Sequence, residues 1–129
     1  MAHYKSFEDL EIWQRARIIC NEIYDLYLSS DLQKDYGLWN QINKSSGSIM
    51  DNIAEGFERD GNREFIQFLS IAKASCGESK SQLYRCLDRK YLEPEKFGSI
   101  AKQMNECQAQ IAGFMKYLKN SDRKGNKYD

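Results

Sequence analysis

The sequence predicts an all-α protein, an antiparallel up-down-up-down four-helix bundle. Three observations carry this. Apolar residues recur every three to four positions through four long segments. The segments are separated by short polar connections, which make sequential helices antiparallel. A single proline and few turn clusters argue against a sandwich or barrel, whose strands would need frequent turn signals.

The first helix is predicted over 7–28, capped by Ser6 with Glu8 and Asp9 at the positive end of its dipole. Trp13, Ala16, Cys20, Ile23 and Tyr27 form its central stripe, which Ile12, Ile19 and Leu26 widen on one side and Tyr24 on the other. That sector spans roughly 160°, more than the ~100° that one core face requires. Two explanations stand: a deeply packed helix, or a second contact surface for another subunit.

Residues 29–31 end this helix, and 32–36 form a connection before Gly37. The second helix, over 38–57, carries Leu38, Ile42, Ser45/Ser46, Ile49, Ile53 and Phe57 on one face, with Trp39 alongside. Ser45-Ser46-Gly47-Ser48 has poor helix propensity, about 1 kcal/mol for a mid-helix glycine. The isoleucine stripe keeps its phase across it, so a continuous helix is expected, with small residues admitting a neighbouring backbone. Asn52 and Glu55 lie about 100° and 160° from the centre of that stripe.

Asn62 is read as the cap of a third helix running to Lys90, with Phe65, Phe68/Leu69, Ala72, Cys76, Ser79, Leu83 and Cys86/Leu87 inward. Pro94 opens the fourth, where proline is best tolerated. Phe97, Ile100, Met104, Cys107, Ile111, Met115 and Leu118 follow in threes and fours. The domain is drawn over 1–120, and 121–129 is read as a disordered polar tail.

Composition narrows the function classes. Nineteen basic and nineteen acidic residues cancel, whereas a nucleic-acid binder usually carries a basic excess. No apolar run approaches a membrane span and none follows Lys5 as in a signal peptide, so the expected compartment is the cytoplasm, with no membrane partner. Cys20, Cys76, Cys86 and Cys107 have no Cys-x-x-Cys spacing and fall on apolar faces, as small buried hydrophobes do. The only histidine is His3, and neither a phosphate loop nor a Glu-x-x-His pair occurs. The expectation is a non-enzyme with no cofactor, no metal site and no small-molecule substrate.

Tyr36-Gly37-Leu38, Gln41-Ile42, Ser48-Ile49 and Asn52-Ile53-Ala54-Glu55-Gly56-Phe57 resemble the bacterial 23S ribosomal RNA intervening-sequence protein family. The segment Phe7-Glu8-Asp9-Leu10-Glu11-Ile12-Trp13-Gln14 resembles its first helix, and Glu64-Phe65-Ile66-Gln67-Phe68-Leu69 with Ser75 and Glu78 its third. The resemblance covers residues 4–119. It implies a bundle that assembles into a ring-like homo-oligomer, a pentamer, and it implies no catalytic residues. Where the family often has an arginine pair, this chain has Asn43-Lys44.

Two surfaces are candidate sites. The third helix carries six basic residues against three acidic over 63–91, while the first carries five acidic against two basic over 7–28. Lys73, Lys80 and Tyr84 share one line, and Arg85 and Arg89 point away from the core. They are read as a surface for RNA or DNA, cations on phosphates and Tyr84 stacking on a base, or as a solvated face paired with acidic neighbours. Asn52, Glu55, Arg59 and Glu78 are read as a hydrogen-bond cluster, between subunits or within a helix, with ordinary surface polarity as the alternative. The competing function class is an interaction or scaffold protein without nucleic-acid affinity.

Overall fold

The protein, described by a computed structural model over residues 4–122, contains four α-helices: α1 (Glu11–Ser29), α2 (Tyr36–Phe57), α3 (Asn62–Asp88) and α4 (Pro94–Asp122). Contacts between their ends establish the topology. Tyr27 near the end of α1 stacks on Trp39 near the start of α2. Arg89, just past α3, bonds Asp35, just before α2. Asn62 opens α3 and donates to the Leu118 carbonyl near the end of α4. Arg15 of α1 reaches Gln103 and Gln110 of α4, closing the cycle of antiparallel neighbours. Among the described residues no helix is long and apolar enough to cross a membrane.

The core is the set of inward rows. Ile42, Ile49 and Ile53 of α2, Phe65, Leu69, Ala72, Cys76, Leu83 and Cys86 of α3, and Ile100, Met104, Cys107, Ile111 and Leu118 of α4 are all buried. Aromatic edges close one end, where Phe65 packs against Phe57 and Phe114. The serine-rich middle of α2 is helical throughout, with Ser46 bonding back to the Ile42 carbonyl at 2.7 Å.

Several local expectations change. A 3-10 turn (Phe7–Asp9) precedes α1, and Leu10 between them is extended, which drops its side chain to 1% exposure in the core. The deepest row of α1 is Ile12, Ala16, Ile19, Ile23 and Leu26, while Trp13, Cys20 and Tyr27 are half-buried, the last two against Ser46 and Trp39 of α2. Compact aliphatic side chains fill the interior, and large amphipathic rings take the groove edge. A second 3-10 turn (Asp31–Lys34) occupies the first connection and buries Leu32. The second helix begins at Tyr36, capped by Asp35, whose Oδ1 accepts from the Leu38 N–H at 3.4 Å.

The cap of α3 is Gly61, at φ 123°, not Asn62. Asn62 instead spends its buried amide on α4. Helix α4 continues past Asn120 to Asp122. His3 and the remainder of the expected tail lie outside the described residues.

Candidate binding site: a polar seam and cleft between α2 and α3

The contact between α2 and α3 is built from small polar side chains. Ser45 Oγ donates to Gln82 Oε1 at 2.5 Å and accepts from Ser79 Oγ at 2.9 Å. Further along, Ser75 Oγ donates to Ser48 Oγ at 3.0 Å. The Asn52 amide donates to the Ser48 carbonyl and hydroxyl at 2.8 and 2.9 Å. Serines let the backbones approach while their hydroxyls satisfy one another, so the seam is buried without orphaned groups at those positions. At its end Gly56 lies under α3: a Cβ there would stand 2.7 Å from Phe65 Cδ1 and 2.8 Å from Phe68 Cβ. Gly47, by contrast, has nothing within 4 Å of a built Cβ, so its lack of a side chain is not what lets the helices meet.

On its outer side the seam opens into a cleft of about 470 Å³. Lys44, Ser48 and Gln41 of α2 line one wall; Glu78, Ser81, Gln82 and Arg85 of α3 line the other. Two cations, one carboxylate and several hydroxyls and amides converge on this space.

The basic residues of α3 diverge. Lys80 Nζ donates to Asn105 Oδ1 of α4 at 2.9 Å, and the Tyr84 ring packs on Phe97 at 4.6 Å, so this pair faces α4. Arg85 Nη1 donates to Gln41 Oε1 at 2.6 Å, and Arg89 Nη1 lies 2.6 Å from Asp35 Oδ2, so this pair faces α2. Lys73 is exposed, and its carbonyl accepts from the Gln108 amide of α4 at 3.1 Å.

The other group divides in the same way. Asn52 belongs to the seam of its own chain. Glu55 of α2 and Arg59, two residues past its end, form an ion pair at 2.9 Å, and Arg59 also sits over the Phe68 ring and 3.8 Å from Glu64. Glu78 is exposed on the cleft wall.

Electrostatic perturbation concentrates at the foot of α2. Asp35 receives the Tyr91 hydroxyl at 2.7 Å as well as Arg89, and these two hydrogen bonds hold its carboxyl below the usual aspartate range. The cysteines are free thiols. Burial pushes Cys20 and Cys86 up to about 11, and a hydrogen bond to Cys107 followed by burial raises Cys76, so these three are protonated at neutral pH.

Asp35 and Gln82 were not singled out in the sequence. Asp35 carries a legible cue, an aspartate three residues before a buried leucine that opens an apolar row. Gln82 carries none, because its burial depends on which face of α3 meets the serines of α2.

These features define an antiparallel four-helix-bundle protein with a polar cleft between its central helices. The 23S rRNA-intervening sequence protein family matches over residues 8–113. The chain belongs to that family, and the resemblance in the α2 motif holds. A crystal structure of a protein with unknown function from the S23 ribosomal protein family of Bacteroides thetaiotaomicron VPI-5482 superimposes with a TM-score of 0.75. It is 24% identical, over 81% of this chain and 98% of that one, a likeness of fold alone. No curated protein matches the chain.

Proposed function

We propose that this family member acts through self-association, as a non-enzymatic homo-oligomeric bundle assembled into a ring of five. The observation that carries this reading is an unpartnered apolar face on α1 and the start of α2. Tyr24, Leu28 and Tyr36 are 51%, 52% and 73% exposed beside the stacked pair Tyr27 and Trp39, whose centroids are 4.1 Å apart. A cluster of exposed apolar side chains of this kind is the sort of area that a partner covers. A heterologous contact between this face and a different face of the next copy closes into a ring when the rotation permits. The ring and the number five rest on the family resemblance. The cytoplasm is the proposed setting, a reducing compartment that suits four free cysteines.

Sedimentation of the Tyr24→Lys/Leu28→Lys double variant tests the face. Both residues are about half exposed in the isolated chain, so the monomer fold should survive. Removing two apolar anchors of roughly 1.5–3 kcal/mol each at full burial should shift the assembly toward single chains. An unchanged mass would refute the assignment.

A second reading, RNA or DNA binding by α3, is favoured by one observation. Lys80 and Arg85 are held by the neutral amides of Asn105 and Gln41, so their charges are not neutralised by those partners. In an oligomer a modest patch gains by repetition. Affinity for a structured RNA should then fall steeply with salt, and Lys73→Glu with Lys80→Glu should abolish it; a salt-independent response would exclude this reading.

A further inference from the structure

The α2–α3 cleft contains groups that the fold leaves unused. Gln82 is only 7% exposed, yet its hydrogen bond to Ser45 occupies the amide oxygen alone. Among the described residues its Nε2 has no protein partner, and it reaches the open cleft that the side chain lines, which leaves an amide donor available there. An amide held by its oxygen and open at its nitrogen offers two N–H donors in a fixed direction to an acceptor in the cleft. Arg85 lines the same space and gives Gln41 a single hydrogen bond from Nη1, so other guanidinium donors remain. Lys44, on the opposite wall, has no hydrogen-bond or ion-pair partner among the described residues.

These donors call for an anion, but Glu78 shares the cleft and has no cationic partner among the described residues. Its carboxylate repels a bare anion and accepts from hydroxyls. A ligand with an anionic end and a hydroxyl-bearing body satisfies both. The cleft, at about 470 Å³, falls within the usual range for small-molecule sites.

We propose that the cleft binds a sugar phosphate, with the phosphate between Lys44, Arg85 and the Gln82 amide and sugar hydroxyls on Glu78. The same chemistry is offered by a free sugar phosphate and by the 5′-phosphorylated end of an RNA. This site is independent of the oligomer face.

Calorimetric titration of the full chain with ribose 5-phosphate, inorganic phosphate and ribose tests the proposal, with paired short RNAs bearing a 5′-phosphate or a 5′-hydroxyl separating the sources. Ribose 5-phosphate should bind saturably. Lys44→Gln and Arg85→Gln should each weaken it about tenfold, the scale of one lost charge-assisted hydrogen bond. Glu78→Gln should weaken ribose 5-phosphate while sparing or strengthening inorganic phosphate, a divergence that general loss of structure cannot produce. Tighter binding of the 5′-phosphorylated RNA than of its 5′-hydroxyl twin supports an RNA end as the source; binding of ribose 5-phosphate alone supports the free sugar phosphate. Absence of saturable binding by every phosphorylated probe overturns the proposal, and so does binding that all three variants leave unchanged.

Discussion

Asp35 joins three parts of the chain through one carboxylate. It caps α2, pairs with Arg89 beyond the end of α3 and accepts from Tyr91 in the following turn. Its pKa is lowered by those bonds. The ionised form is therefore favoured in the folded chain, and its contribution is fully present above the ordinary aspartate value, about 3.9. It is lost as pH falls through the lower folded value. Asp35→Asn should lower stability at pH 7 and flatten the acid limb of a stability-against-pH curve measured by urea unfolding. Nearby, Lys90 ends α3 at φ 63°, with the Tyr91 N–H donating to the Cys86 carbonyl at 2.9 Å, the geometry in which glycine is favoured. Lys90→Gly should raise stability by roughly 0.5–1 kcal/mol in the same measurement.

At the scale of the element, α2 shows what spacing encodes and what it omits. Its inward row of Leu38, Ile42, Ile49 and Ile53 follows from periodicity because a helix fixes the angle between residues. Periodicity does not say which neighbour each side of a helix meets. Arg85 and Arg89 point outward along α3 as the spacing requires, yet they end on Gln41 and Asp35 because α2 happens to be the adjacent helix on that side. Two of the three glycines of α2, Gly47 and Gly56, look alike in sequence and differ in packing. Gly56→Ala places a methyl 2.7 Å from Phe65 and should cost about 1–3 kcal/mol. Gly47→Ala meets nothing within 4 Å and should gain up to about 1 kcal/mol from helix propensity. Thermal unfolding of the two variants side by side checks both signs.

For the whole molecule, four amphipathic rows leave a bundle as the economical way to bury them, so the fold was legible before any contact was known. The site was less so. The excess apolar width of α1 points to a second contact surface, but spacing alone centres the stripe on Trp13, Cys20 and Tyr27, because periodicity does not say how closely α2 approaches. The structure puts Ile19 and Leu26 in that centre and leaves Tyr24 and Leu28 facing outward. The Asn52 and Glu55 side divides between an internal seam and an ion pair across the end of α2, and the subunit contact is proposed instead on the aromatic face. Self-association is the central claim, and native mass spectrometry of the unmodified chain across a dilution series tests it most directly. A discrete complex of about five times the 15.1 kDa chain, dissociating only at high dilution, is expected. A species of 15.1 kDa at every concentration would contradict it.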